Sequence, residues 1–353
     1  MKKLILSLFI LGTIGSLLFY SIYKSPGYKE CMGGNLFVVN KLDHNISIID
    51  LSQKTAIKTL EIGIEPHEVI ISADKKYLIV SDFGNETNPA SEIFLISTET
   101  FELLKTIHLK NKTKLHGLEL SLDSNKILVT SEGASSLILL NIQTGEIESE
   151  TKTLGKESHM VLRHPNKTIA YVANIGTNDV SVINYEKDSL VKNIYCGKGT
   201  EGLAITPNGN ELWTCNKFED SISIINTENL ELIRKLKTGK MPVRLAISPD
   251  GSYCISSNHA EGNLYVFDTQ SKEIVKKIEL PGSSNLLDKL FNDSPTPSSL
   301  LFHPSKPFLF VINSNADRTV LLSTDTWKII GSWKVGDIPD GIAINTQPDN
   351  CDF

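Results

Sequence analysis

Three histidines in this sequence are spaced at nearly equal intervals. His67, His116 and His159 are followed, after a further interval of similar size, by Glu201, and Asp340 lies near the end of the printed sequence. Imidazole nitrogens and carboxylate oxygens are donors that zinc and copper accept in proteins. If the fold brings these five side chains together, the sequence predicts a transition-metal site built from them, with copper or zinc as the cofactor.

The same residues are also compatible with two other roles. His67 or His116 can act as a general acid–base oriented by Glu201 or Asp340, because histidine titrates near neutral pH and carboxylates tune it. Lactone opening or lyase chemistry would then follow. Alternatively, each histidine simply forms a hydrogen bond with a neighbouring loop and has a structural role.

A repeat along the chain supplies the reason to expect convergence. Short β-prone runs end repeatedly in a polar residue and are followed by a turn and an alternating strand. The intervals between these polar residues are 42, 50, 42, 42, 42 and 55 residues, so two intervals contain insertions. The polar residues are Asn40, Asp82, Glu132, Asn174, Asn216, Asn258 and Asn313.

Each repeat contains four strand-like runs separated by turns. In one repeat the runs are residues 202–206, 211–215, 221–226 and 231–236, and Pro207-Asn208-Gly209 forms the first bend. Alternating residues such as those of 179–184 are typical of half-buried strands. Four strands in every 42 residues predict an all-β fold, a β-propeller of four-stranded blades.

The two ends of the repeat region are complementary. Residues 36–39 begin a repeat at its second strand, whereas residues 340–345 resemble a first strand with no second strand after it. Pairing the C-terminal strand with the three N-terminal strands completes a seventh blade and covers open sheet edges. The sequence therefore predicts a seven-bladed ring closed by strand exchange between its ends.

In such a ring, the residue just before each innermost strand lies at the mouth of the central channel. Those seven positions are His67, His116, His159, Glu201, Val243, Ser298 and Asp340. The metal prediction uses the three histidines and the two carboxylates of this set. A surrounding ligand-binding set is predicted from Glu68, Asp82, Glu132, Arg244 and Ser298. Asp82 and Glu132 replace asparagine in the repeat and would add negative charge beneath a cation, although such residues also cap turns.

Two segments carry a resemblance to a known family. Ala170-Tyr171-Val172-Ala173-Asn174 and the run at 178–183 are similar to the signature of YVTN-repeat seven-bladed propellers. Relatives of that architecture include surface-layer propellers, lactonase-like propellers and the propeller domains of nitrite and nitrous oxide reductases. The run Glu65-Pro66-His67-Glu68 resembles a histidine segment of the last group. Because functions in the family differ, the resemblance implies the fold and leaves the activity open.

Two insertions and two cysteines complete the description of the ring. One insertion lies at residues 84–91, and the other, at 281–297, predicts a short helix with Leu286, Leu287, Leu290 and Phe291 on one face. Cys31 and Cys351 flank the first and last strands, which are adjacent in a closed ring, so we predict a disulfide between them. Cys196, Cys215 and Cys254 are expected to be buried thiols.

The N-terminus predicts export. Residues 4–23 carry no charge and are long enough to cross a bilayer, so residues 1–23 are a membrane anchor or a signal segment. Residues 24–34 are a linker, 35–346 the propeller and 347–353 a tail. We therefore expect the propeller to lie outside the cytoplasm, in the periplasm or at the cell surface, with membrane contact through the N-terminal segment only.

Composition narrows the range of partners. The 353-residue chain has 35 Lys and Arg against 41 Asp and Glu, a net charge of −6, which argues against nucleic-acid binding. The sequence therefore predicts an exported binding or scaffolding propeller whose channel face takes a metal ion, a small ligand or a protein partner. The alternative is an extracytoplasmic enzyme that uses the same face as a lactonase-like hydrolase, a lyase or a metal-dependent oxidoreductase.

Overall fold

The computed structural model arranges the chain in seven antiparallel sheets of four strands each. It describes residues 30–282 and 294–349. In each sheet the chain runs outward from an inner strand, and the inner strands of neighbouring sheets contact one another around one axis. The predicted seven-bladed, all-β propeller is confirmed.

Six blades are continuous in sequence, and we number them one to six. The strands of the first three blades are β4 (Pro66–Ile71), β5 (Tyr77–Asp82), β6 (Glu92–Ser97), β7 (Leu103–His108), β8 (Leu115–Leu120), β9 (Lys126–Ser131), β10 (Ser136–Asn141), β11 (Ile147–Lys152), β12 (Ser158–Arg163), β13 (Ile169–Asn174), β14 (Asp179–Asn184) and β15 (Ser189–Tyr195). The strands of the next three blades are β16 (Thr200–Ile205), β17 (Glu211–Asn216), β18 (Ser221–Asn226), β19 (Glu231–Lys237), β20 (Pro242–Ile247), β21 (Tyr253–Asn258), β22 (Asn263–Asp268), β23 (Ile274–Glu279), β24 (Pro297–Phe302), β25 (Phe308–Asn313), β26 (Arg318–Ser323) and β27 (Lys328–Lys334).

Blade seven joins the two ends of the propeller. Its strands are β28 (Pro339–Gln347), β1 (Gly33–Asn40), β2 (Asn45–Asp50) and β3 (Thr55–Glu61). The inner strand β28 pairs antiparallel with β1, and Leu36 lies opposite Ile344. The predicted closure by a C-terminal strand on three N-terminal strands is therefore confirmed.

The apolar core lies between blades because both faces of the middle strands are covered. Five of the six residues of β13 are buried, whereas most residues of the outer strand β15 are exposed. At one interface Trp213 and Phe267 meet edge to face, with their ring centroids 6.4 Å apart. Burying a large apolar side chain contributes roughly 1.5–3 kcal/mol, so these interfaces hold neighbouring blades in register.

The two insertions differ in what the structure describes. The first forms a turn between β5 and β6 in which Gly84 bridges to Pro89. The helix predicted within residues 281–297 has its apolar face at 286–291, which lies outside the described residues. Within the described ranges the one helix is a 3-10 turn at Ser314–Ala316.

Candidate functional site at the channel mouth

Every inner strand contains a β-bulge at the same position. In β12, for example, Ser158 pairs with Asn174 and Val161 pairs with Val172, so the inner strand has one more residue than its partner. All seven blades repeat this shift. Because a bulge redirects a side chain, the second residue of each inner strand faces the axis.

These seven second residues line one cavity of about 480 Å³ at one end of the channel. They are His67, His116, His159, Glu201, Val243, Ser298 and Asp340. The structure therefore brings these seven positions together around one cavity. The sequence prediction placed them just before each inner strand, whereas they lie inside it, at the bulge.

A second ring of side chains surrounds the first, and its members each follow the second strand of a blade. They are Lys41, Phe83, Glu132, Ile175, Lys217, His259 and Ser314. Sequence reasoning missed this ring except for Glu132, which it assigned to the end of a strand. In the structure β9 ends at Ser131, so Glu132 is one position further on and reaches the cavity. The residue after each repeated polar position was the available signal.

The three histidines form a continuous stack along one side of the cavity. The ring centroids of His67 and His116 are 4.1 Å apart, and those of His116 and His159 are 3.5 Å apart. His116, in the middle, is fully buried, and neither of its ring nitrogens has a hydrogen-bond partner among the described residues. Nδ1 of His67 is likewise unpartnered.

A carboxylate lies at each end of the histidine stack. At one end Oδ2 of Asp340 lies 3.3 Å from Nε2 of His67 and 3.7 Å from Nζ of Lys41. At the other end Glu201 lies 3.5 Å from Nε2 of His159 and 2.7 Å from Nζ of Lys217. Each end therefore combines a histidine, a carboxylate and a lysine.

The electrostatic environment divides the three histidines into two kinds. Burial, reinforced by nearby positive groups, holds the pKa of His67 and His116 well below the usual range, so both are neutral at neutral pH. Burial also opposes the charge of His159, but hydrogen bonds to Glu132, at 2.6 Å, and to Glu201 outweigh it and raise the pKa of His159.

The carboxylates at the two ends remain ionised despite their burial. Burial favours protonation of Glu201, but His159, Lys217 and Arg244 lower its pKa to about 2. Burial favours protonation of Asp340, but its electrostatic interactions with His67, Lys41 and Arg244 outweigh burial and lower its pKa.

Arg244 and Glu68 are the third residues of their inner strands and come from blades five and one. Nη2 of Arg244 lies 2.8 Å from Oε1 of Glu68, and Nη1 lies 3.4 Å from Glu201. Burial raises the pKa of Glu68, although Arg244 opposes the shift. The carboxylates around Arg244 outweigh its burial and raise its pKa. This pair of buried charges joins opposite sides of the channel.

The repeated polar residues stabilise loops and hairpins. The carboxylate of Asp82 accepts hydrogen bonds from the backbone N–H groups of Ile64, Glu65 and Gly84. In Asn174 the side-chain amide donates to Asp179 and Ser181 on the adjacent strand. Asp82 is absent from the residues that line the cavity, so its predicted place beneath a cation is not supported by these contacts.

One group of donors lies close enough together to hold a metal ion. Among the described residues, His116, Glu132 and His159 each offer a ligand atom, and these atoms lie within 4.8 Å of one another. This group contains two of the five residues in the predicted metal set. Glu132 enters it in place of Glu201, which instead contacts the two cations Lys217 and Arg244.

The cysteines separate into two kinds. Cys196, Cys215 and Cys254 are buried free thiols, as predicted, and burial raises the pKa of Cys215 to about 12. Cys31 is disulfide-bonded. The predicted partner Cys351 lies outside the described residues, but Lys306 Nζ joins the carbonyl of Cys31 to the carboxylate of Asp349, two residues before it, with both contacts at 2.6 Å.

The described residues contain no helix of sufficient length and apolar character to cross a bilayer. The predicted membrane segment at residues 4–23 lies outside the described residues.

Fold and site define a seven-bladed β-propeller with a histidine- and carboxylate-lined channel mouth. Residues 108–282, just under half of the chain, match the family model described as Lactonase, 7-bladed beta-propeller. The chain is thus consistent with the lactonase-like propellers. A comparison with curated proteins found no match.

Among solved structures, the chain is similar to a functionally unknown protein from Desulfotomaculum acetoxidans DSM 771. The TM-score is 0.72, the sequence identity is 16%, and the alignment covers 89% of this chain and 99% of the other. At this identity the likeness concerns the fold.

Proposed function

We propose that this propeller is an exported binding protein whose channel mouth holds a transition-metal ion, zinc or copper. The observation that carries the proposal is His116, a fully buried imidazole. Neither of its nitrogens has a partner within residues 30–282 and 294–349, and it offers a ligand atom within 4.8 Å of ligand atoms of Glu132 and His159. A buried polar group without a partner costs free energy, and a metal bond would remove that cost for one of the two nitrogens.

The protonation of the histidines supports a metal. Only a neutral imidazole can donate its lone pair to an ion, and burial keeps His67 and His116 neutral by lowering their pKa. His159 would lose its proton when the ion binds, and Glu132 would exchange a hydrogen bond for a metal bond. Glu201 would then hold the remaining nitrogen of His159, as outer ligands often do for metal-bound histidines.

The test is a metal titration of the chelator-treated propeller. We expect one zinc or copper ion to bind per chain, measured by calorimetry and elemental analysis, and we expect His116→Ala to weaken binding at least tenfold. His108→Ala is the matched control, because His108 is an exposed outer-strand histidine that contacts Glu92. No stoichiometric binding, or equal loss in both variants, would refute the metal site.

Export is a second part of the proposal and rests on separate observations. Residues 4–23 are uncharged, and Cys31 forms a disulfide, a bond that persists in oxidising compartments. Cell fractionation with antibody detection would test this. Recovery of the chain in the cytoplasmic fraction with Cys31 reduced would contradict it.

A second candidate is a lactonase-like hydrolase, and the family match at residues 108–282 favours it. In that case His159, hydrogen-bonded to Glu132 and close to Glu201, would act as the acid–base group beside Arg244. Hydrolysis of simple lactones by the metal-free propeller, abolished in His159→Gln but retained in His108→Gln, would support the enzyme. Hydrolysis equal to that in buffer would exclude it for the lactones tested.

A further inference from the structure

The channel mouth has nearly equal numbers of buried positive and negative groups. The carboxylates Glu68, Glu201 and Asp340 contact the cations Lys41, Lys217 and Arg244. A divalent ion held by His116, Glu132 and His159 would have a single carboxylate among its three protein ligands, which offsets one of its two charges. The loaded site therefore carries one uncompensated positive charge in a region where isolated charges are costly.

We infer that the metal-loaded mouth binds a small organic monoanion, a monocarboxylate with a compact apolar body. The inference rests on the proposed metal site and names what the bound ion would hold. The carboxylate supplies the missing negative charge and an oxygen ligand.

The position of the donors leaves the ion open on one side. The candidate ligands come from blades two and three, where His116 and His159 are the second residues of their inner strands and Glu132 follows β9. Three protein ligands leave a fourth position for an outside group. The opposite wall offers Val243 at the equivalent position of blade five, so no charged first-ring side chain faces the ion there.

The residues on the cavity wall opposite the candidate ligands indicate the chemistry of the rest of the bound molecule. Besides Val243 this wall contains Met241 and Ile338, and Ile175 lies beside the histidine stack. One water molecule occupies about 30 Å³ in the liquid. The cavity of about 480 Å³ is therefore far larger than an ion and one water need. An apolar group of the ligand would displace water from this wall, while a purely inorganic anion would leave it wet.

Cobalt(II) is the probe ion, because its visible absorption changes with its ligands, and benzoate is the probe anion. We expect benzoate to change the spectrum of the cobalt-loaded chain and to tighten cobalt binding at least fivefold. Benzamide, which has the same shape without the charge, and chloride, which has the charge without the body, should each have less than one fifth of the benzoate effect.

Two variants test the wall separately from the ion. Val243→Asp supplies a negative charge of its own and should reduce the benzoate response at least tenfold. Val243→Ala removes apolar surface and should weaken benzoate several-fold. Val191→Asp, on the exposed outer strand β15, is the matched control and should behave as the parent chain.

The outcomes separate the two proposals. Cobalt binding with no benzoate response, or an equal response to benzamide, would overturn the ligand and leave the metal site intact. Equal responses to chloride and benzoate would show that any anion suffices and would also overturn it. Absence of cobalt binding in the parent chain would overturn both.

Discussion

The two sides of the channel mouth have the same backbone and opposite chemistry. Blades seven and one to four place Asp340, three histidines and Glu201 at the bulge, whereas blades five and six place Val243 and Ser298 there. The bulge is present in both, so the fold supplies seven equivalent positions and does not choose their side chains. The chemistry of the site is thus a property of individual substitutions on a repeated frame. We call blades seven and one to four the titratable side and blades five and six the neutral side, and comparing the two sides tests this view.

Arg244 is the exception on the neutral side, and removing it should have the largest effect. Arg244→Met leaves the buried carboxylates Glu68 and Glu201 without this partner, so we expect the free energy of unfolding to fall by about 3–5 kcal/mol. Urea denaturation measures this. Arg234→Met is the control, because that arginine forms an exposed pair with Glu273 that contributes less than about 1 kcal/mol. Equal effects in the two variants would contradict a connection across the channel.

Glu201 should make the stability of the titratable side depend on pH. Its pKa is about 2 in the folded chain against an ordinary 4.5, so its contribution is present above about pH 4.5 and is lost as pH falls towards 2. We expect the difference in unfolding free energy between the parent and Glu201→Gln to shrink by about 3 kcal/mol over that interval. Glu228→Gln, which removes an exposed partner of Lys167, should show no such trend. A constant difference for Glu201→Gln would show that its carboxylate is unperturbed.

Gly202 tests the shared backbone of the two sides. A Cβ at this position would lie 2.5 Å from the carbonyl oxygen of Val243 and 2.7 Å from Cα of Arg244. Gly202→Ala should therefore push β20 away from β16 and lower the free energy of unfolding by about 1–3 kcal/mol. In the control, Gly176→Ala, the nearest atom is the side-chain Cβ of Lys156 at 3.0 Å, so we expect a smaller loss by the same urea assay. Equal losses of unfolding free energy in the two variants would show that β16 and β20 are not in close contact at Gly202.

His159 should give the smallest effect, a pH dependence of metal affinity. Because its pKa is raised, metal binding releases its proton, and zinc affinity should fall about tenfold for each pH unit below that pKa. In Glu201→Gln one of the hydrogen bonds that raise this pKa is weakened, so the decline should begin at lower pH. Calorimetry at several pH values measures both. An affinity independent of pH down to pH 5 would exclude His159 as a ligand.

The sequence was sufficient to predict the ring and the first layer of the site. The 42-residue interval indicated four-stranded blades, the seven repeats gave their number, and the repeat assigned His67, His116 and His159 to equivalent places. Except for Glu132, which was predicted as a ligand-binding residue, the second layer was missed, because residues such as Lys217 follow strands whose ends cannot be located to one residue from pattern alone. Glu132 is an example, because an error of one position placed this candidate ligand among the residues that end the second strands. The link between Arg244 and Glu68 joins residues 176 positions apart, and no local pattern predicts it.

The pairing of β28 with β1 also constrains the order in which the molecule can form. Asp340 belongs to β28, and its neighbour Lys41 follows β1 about three hundred residues earlier. During synthesis, blades one to six can assemble as they emerge, but blade seven must wait until the chain has been made through Gln347. The histidine stack would therefore exist in a nascent chain before its aspartate arrives. Completion of this end of the site is thereby coupled to closure of the ring.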